Sequence, residues 1–341
     1  MNTLYFNANN DFIPTCSDII RAGGLVAFPT ETVYGLGANG LDGNAVNGIF
    51  KAKGRPNDNP LILHIADKEM LYSLWESVPD TALKLIDAFW PGPLTLIYKK
   101  SARVPSEVTA SLDTVAVRMP KHDVALKLIE EAGVPVAAPS ANMSSRPSPT
   151  SFEHVLHDMD GKINAIIDGG KCACGVESTV LSLVGTPTIL RPGAITPAMI
   201  ESVIGKVEIA SAVLSPLKCD EKVLSPGLKY KHYAPDAEVI IASGSPKEAS
   251  EKIKALFYEY TSSGKKCIIF STLSSFPFYE DLPCVTIGDS SNPISMCANL
   301  FSLLREHGSK YDCILTEAIE STDEGLAYMN RLLRASGFKV I

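Results

Sequence analysis

Two short segments concentrate the side chains able to handle a polyanion. KAKGRPNDNPLILHI (Lys51–Ile65) crowds Lys51, Lys53 and Arg55 beside Gly54 and Pro56, and then resumes as an apolar strand-like run carrying His64 near its end. PSANMSSRPSPT (Pro139–Thr150) strings Ser140, Asn142, Ser144, Ser145 and Ser148 along a loop. Pro139, Pro147 and Pro149 keep that loop from becoming helix. Fixed cations facing hydroxyls and amides describe a pocket for a polyanion, with phosphate the first candidate. The chain has no Gly-x-x-x-x-Gly-Lys-Ser/Thr loop and no Gly-x-Gly-x-x-Gly after a strand. A nucleotide site here must be built another way.

Other polar groups sit where strands should end. FPTETVYGLG (Phe28–Gly37) brings Thr30 and Thr32 to a strand-to-loop edge, with Gly35 and Gly37 permitting close backbone approach. VAVRMP ends an apolar strand in Arg118, GVESTVL carries Ser178, and ILRPGAIT carries Arg191. Taken singly, each has a plain explanation: a turn for the hydroxyls, a strand-end salt bridge for the arginines, a half-exposed edge for His64. Taken together they gather cations and hydroxyls at the ends of many strands, where open α/β sheets hold ligands. Neither Gly-x-Ser-x-Gly nor His-Glu-x-x-His occurs, and no Cys/His pair stands out as an activated nucleophile. Such a site suits positioning and charge stabilisation. Phosphoryl and nucleotidyl transfer have that character, usually with Mg²⁺ sharing the phosphate charge.

The elements that must bring these groups together alternate along the chain. LVAF, LILHI, LTLIY, VAVRM, VPVAA, AIIDGG and STVLSLV read as strands. Between them, a short helix capped by Ser17 and ended by Gly23-Gly24, the stretch AVNGIFKA, Met70–Trp75, Thr81–Trp90 and His122–Ala132 read as helices. Some strands are separated by helices and some only by turns, which points to a mixed twisted sheet. From Lys206 to Asp236 the regularity fails. Beyond it EVIIA, KCIIF, PCVTI and CILTE alternate with helices over Pro246–Ser262, Pro293–His307 and Glu324–Ala335, a second, smaller α/β unit. The organisation expected is a first domain over 1–206, a linker or lid over 207–236, and a second domain over 237–341.

The bulk properties agree with a two-domain globular protein. At 341 residues the chain exceeds what one core usually fills. A net charge of −7 argues against a whole-surface nucleic-acid or anionic-membrane footprint. MNTLYFNANNDFIPT has no basic stretch followed by an apolar one, and no apolar run nears the roughly 18 residues of a spanning helix. A cytoplasmic location is expected. Eight cysteines are scattered, several inside strand-like runs where a reduced thiol packs as a small hydrophobe. Only Cys172 and Cys174 are close; His154 and His157 are the nearest imidazoles, and a turn explains the pair better than zinc.

With these residues assembled, the chain resembles the threonylcarbamoyl-AMP synthases, the two-domain form of the YrdC-like family. The matching motifs are PTETVYGLG, KGRP with NPLILHI, PGPLTLI, VAVRMP, PSAN with SPT, GVESTV, LRPGAIT and SPGLKYKHYAP, followed by GLAYMNRLLRAS in the second domain. The resemblance implies a YrdC-like twisted, mixed open sheet with flanking helices, plus a smaller C-terminal Rossmann-like α/β domain. It implies a reaction in which L-threonine, bicarbonate and ATP give threonylcarbamoyl-AMP and pyrophosphate, the product passing to a separate tRNA-modifying transferase. Lys53 and Arg55 would bind ATP and stabilise charge at the α-phosphate. Ser140, Asn142, Asn59, Thr114, Ser148 and Arg191 would be further ATP contacts, and Thr32, His64, Arg118, Ser178 and the backbone of Ala138 would hold threonine. No metal ligand from the protein is implied; Mg²⁺ would arrive with ATP. Tyr230 and His232 are expected to touch the nucleotide if SPGLKYKHYAP (Ser225–Pro235) closes as a lid.

Two other readings compete. An RNA-binding or regulatory module would use the same basic concavity, with Lys229, Tyr230, Lys231, His232 and Tyr233 interleaving cations and stacking aromatics. The overall acidity and the complete threonine-side set weigh against it, and direct RNA binding is not expected. A carbamoyltransferase using preformed carbamoyl phosphate is the third.

Overall fold

The computed structural model describes residues 2–7, 12–215, 233–279 and 281–341. Eleven strands build the first sheet: β1 (Leu4–Asn7), β2 (Val26–Phe28), β3 (Gly35–Asn39), β4 (Ile62–His64), β5 (Leu94–Lys99), β6 (Thr114–Arg118), β7 (Val136–Ala137), β8 (Ala165–Asp168), β9 (Thr179–Ser182), β10 (Thr188–Arg191) and β11 (Glu208–Ile209). Their order is β1-β8-β2-β3-β7-β4-β6-β5-β9-β10-β11. β4 pairs parallel with β6 but antiparallel with β7, and β5 pairs parallel with β9 but antiparallel with β6. The sheet is mixed, as the alternation of helical and turn connections predicts.

Successive strand residues point to opposite faces, and both faces are covered. Along β2, Val26 and Phe28 pack with Cys16, Ile20 and Leu128, whereas Ala27 belongs to the larger core with Val46, Ile49 and Leu63. The first helix departs from expectation. It runs Ile13–Arg21 with Phe12 at the cap position and Pro14 in its first turn. Proline's fixed φ starts the helix, so Ser17 lies buried inside it rather than capping it.

β12 (Glu238–Ala242), β13 (Cys267–Thr272), β14 (Cys284–Gly288) and β15 (Cys313–Glu317) form a second, all-parallel sheet in the order β12-β15-β13-β14. A capping box between Ser245 and Glu248 starts the helix Pro246–Ser262, which covers one face. Helices Pro293–His307 and Asp323–Ala335 cover the other face, and Val33 and Val176 of the first unit join that core. Gly175, at φ +68°, sits where any Cβ would lie 2.5 Å from the backbone of Ala298, so the two units approach as closely as glycine allows. Two arginines, Arg305 half-buried and Arg334 buried, complete the joint. Arg305 reaches the Pro147 carbonyl and Asp158, and Arg334 reaches the Ala212 carbonyl. The first sheet runs on to Ile209, past residue 206, and Tyr230 and His232 lie outside the described residues.

Candidate functional site

Helix Gly43–Lys53 is capped by Asp42 at its start and closed by Gly54 in the left-handed region, φ +59°. That turn throws Lys53 and Arg55 in different directions. Arg55 lines a cavity together with Pro60, Leu61 and Ile62 at the start of β4. Lys53 turns inward, where its Nζ donates to the carbonyls of Ser140 and of Asn142, the latter at 2.6 Å. Ser144 N–H returns a bond to the Lys53 carbonyl, at 3.0 Å. Lys53 therefore clasps the 140–144 loop to the helix. Burial, reinforced by the charge of Arg55, pulls its pKa well below the usual lysine range.

At the other end of the cavity, parallel pairing sets His64 opposite Arg118 in register. Arg118 is buried and held on three sides: Nε donates to the Gly92 carbonyl at 3.2 Å, Nη1 to Thr32 Oγ1 at 2.9 Å, and Nη2 lies 2.6 Å from Glu31 Oε2. That last contact is an ion pair without hydrogen-bond alignment, so Nη2 and both Glu31 oxygens lack a directed partner. His64 Nδ1 and both polar atoms of Asn59 are also buried without one. Buried polar atoms are nearly always satisfied, so His64 Nδ1 and the incompletely bonded Arg118 fork, both on residues that line the cavity, mark where a polar ligand belongs. Burial, with the Arg118 charge, pushes the His64 pKa down to about 3 and keeps its imidazole neutral.

Ser140, Asn142, Ser148, Arg146 and Arg191 line the rest of the cavity with Ser178, Ala138, Glu177 and Tyr233. Arg191 donates through Nε to the Ser178 carbonyl at 3.0 Å and through Nη2 to Ser178 Oγ at 3.1 Å. Burial lowers its pKa to about 10, which leaves it charged at neutral pH. The Asn142 amide donates to the Met143 and Arg146 carbonyls and so shapes the loop that carries Ser148. The Ala138 N–H is taken by the Ile62 carbonyl.

Ten of the residues singled out in the sequence thus share one cavity: Thr32, Arg55, His64, Arg118, Ala138, Ser140, Asn142, Ser148, Ser178 and Arg191. Lys53, Asn59 and Thr114 do not line it. Thr114 begins β6 and Arg118 ends it, which separates them by roughly 13 Å of strand. The sequence pattern does not single out Glu177 or Arg146 as site residues, and Tyr233 enters it only as part of SPGLKYKHYAP and of the RNA reading. Glu177 stands next to Ser178 in GVESTV, the one signal that could have raised it.

The chain is similar to known proteins along most of its length. The Sua5–YciO–YrdC family model, described as "Telomere recombination", matches residues 18–193, and one described as "Threonylcarbamoyl-AMP synthase, C-terminal domain" matches residues 195–337. The chain belongs to the threonylcarbamoyl-AMP synthase family. The threonylcarbamoyl-AMP synthase of Pyrococcus abyssi is 50% identical over 331 residues, 96% of this chain and 95% of its own. That of Bacillus subtilis is 46% identical over 338 residues, 98% of this chain and 96% of its own. The crystal structure of P. abyssi Sua5 complexed with L-threonine superimposes with a TM-score of 0.92 at 47% identity, covering 100% of this chain and 99% of that one. The mixed sheet and the appended parallel sheet are thus the family's architecture. No helix among the described residues is long and apolar enough to cross a membrane, and none of their His, Cys, Asp and Glu side chains gather in threes to hold a metal.

Proposed function

We propose that the cavity joins L-threonine, bicarbonate and ATP into threonylcarbamoyl-AMP with release of pyrophosphate, a nucleotidyl transfer. One observation carries this reading: the incompletely bonded His64–Arg118 pair lines the same cavity as Arg55, Ser140 and Arg191. An amino-acid subsite and a phosphate subsite then share one space. The Arg118 fork suits a carboxylate. Neutral His64 at Nδ1 suits the amine or hydroxyl of threonine, since an uncharged imidazole adds no repulsion.

The threonine amine forms a C–N bond to the carbon of bicarbonate, and water leaves, giving a carbamate. A carbamate oxygen then attacks the α-phosphorus as the bond to the bridging oxygen breaks and pyrophosphate departs. Arg55 and Arg191 stand to balance the charge that builds on the phosphates, and Ser140, Asn142 and Ser148 to fix their position. Mg²⁺ enters this reading as the counter-ion that ATP brings, and it would share that phosphate charge. The protein's part fits, because Glu177, the cavity's acidic side chain among the described residues, already has both oxygens engaged. The mixed anhydride formed is short-lived in water, which calls for a downstream transferase that uses it on tRNA.

The RNA reading needs exposed stacking aromatics. Tyr233 is instead buried in the cavity wall, with its ring centroid 4.9 Å from that of Phe301. The test is pyrophosphate release with ATP, threonine and bicarbonate supplied together and each omitted in turn. Full turnover without bicarbonate, or turnover sustained by carbamoyl phosphate alone, overturns the proposal.

A further inference from the structure

Glu177 is an odd occupant of a cavity meant for a polyphosphate. Among the described lining residues it is the only acid, and a bare carboxylate there would repel the incoming nucleotide. It is not bare. Its Oε1 accepts from Ser148 Oγ, and its Oε2 lies 2.9 Å from Nε of Arg331. Arg331 belongs to the second unit, on helix Asp323–Ala335, and is fully buried. Its Nη1 donates to the Pro192 carbonyl at 2.7 Å and to Asn330 Oδ1 at 2.8 Å, and its Nη2 to the Glu177 carbonyl at 3.2 Å. The guanidinium is therefore gripped by two backbone carbonyls of the first unit as well as by the Glu177 carboxylate. Burial opposes ionisation of Glu177, yet the charges of Arg331 and Arg191 outweigh it and hold the carboxyl below its usual range.

We propose that Arg331 is a positioning residue for the nucleotide subsite, lent by the second domain: it neutralises Glu177 and aims that carboxylate so that Ser148 is fixed toward the phosphates. This rests on the reading of the cavity as an ATP site. The chemistry has a directional consequence. Without Arg331, Glu177 either remains charged and repels phosphate or takes a proton and holds Ser148 only through a weaker, neutral hydrogen bond. Both outcomes weaken ATP and leave the His64–Arg118 end untouched. Neutralising Glu177 itself removes the need for a counter-ion, so the two substitutions should couple.

The experiment measures MgATP and L-threonine binding by calorimetry for the full chain, Arg331→Met, Glu177→Gln and the double variant, with thermal unfolding recorded for each. Binding needs no turnover, so failure of the proposed reaction and failure of this inference are separable. Losing one charge-assisted contact predicts that Arg331→Met weakens ATP by about 10- to 100-fold while threonine changes by less than about threefold. In the Glu177→Gln background the same substitution should change ATP affinity by about threefold or less. That second comparison stands even if Arg331→Met alone fails to fold. An equal loss of ATP affinity in both backgrounds, or parallel losses for ATP and threonine, overturns the proposal.

Discussion

Lys53 offers the sharpest check on how the cavity is built, because its position separates two roles that one sequence motif merges. In Lys53→Met the apolar stem is kept and the ammonium removed. The carbonyls of Ser140 and Asn142 then lose a buried donor. The Ser140 carbonyl keeps the Asn142 N–H at 3.0 Å, so the Asn142 carbonyl is the one left without a donor, at a cost of about 1–3 kcal/mol, against which the variant recovers the desolvation of a buried ammonium. Swapping a buried charge for an apolar group is harmless only when its partners go too, and here they are backbone and stay. The balance is a loss of about 1 kcal/mol, or about 2–4 °C in melting temperature for a unit this size.

Protonation gives an independent readout of the same variant. Burial holds the folded-state pKa of Lys53 well below its ordinary value of about 10.5. Between the two values the unfolded chain binds more protons than the folded one, so stability rises with pH through that window. Lys53→Met should flatten that rise. Arg55→Ala is the contrast: Arg55 lines the cavity, so its loss should leave the melting temperature within about 2 °C while lowering kcat by about 10²- to 10³-fold. Thermal and urea unfolding across pH, with pyrophosphate release at saturating substrates, read both variants. If Lys53→Met keeps the wild-type melting temperature and loses kcat as Arg55→Ala does, Lys53 acts on phosphate directly and the clasp is irrelevant.

Two further outcomes follow from the amino-acid end of the cavity. Arg118→Lys keeps the charge facing Glu31 but loses the fork, so the threonine KM should rise by about 10- to 100-fold with the ATP KM nearly unchanged; the reverse pattern would mean that the subsites are exchanged. His64 is held neutral, with its pKa pushed down from 6.5 to about 3, so the unfolded chain binds its proton first and stability falls as pH drops from about 6.5 toward 3. The urea midpoint of His64→Gln should fall less steeply over that range, and an unchanged slope would remove His64 as the cause.

The fold was largely legible because its signals are local. Alternating apolar runs, the turn after Gly54 and the helix-strand alternation beyond residue 237 each depend on a few neighbouring residues, and those elements form where the pattern puts them. The first helix misled because Ser17 looks like a cap in isolation, whereas Pro14 starts the helix upstream of it. Convergence of Thr32, Arg118, Ser178 and Arg191 was legible for a related reason. Each sits at or beside a strand end, and with the faces of the sheet covered the strand ends are where such groups can meet.

What escaped was direction and partnership. Composition places Lys53 and Arg55 together, but only the left-handed turn at Gly54 decides that one faces the cavity and the other faces a loop. Glu177 reads as a charge beside a serine until Arg331, 154 positions away, is packed against it. No periodicity links such a pair, since nothing within the first unit calls for a guanidinium there. The burial of that arginine is instead a property of docking the two units, the second unit's core taking in Val33, Val176 and Tyr233. Completing a polyphosphate pocket with a cation from the neighbouring unit makes the pocket sensitive to how that unit sits. A Lys53 clasp on one side and an Arg331 brace on the other then hold the same loop, the first through Ser140 and Asn142 and the second through Ser148. Loosening either should be felt first at the phosphates, and only afterwards at threonine.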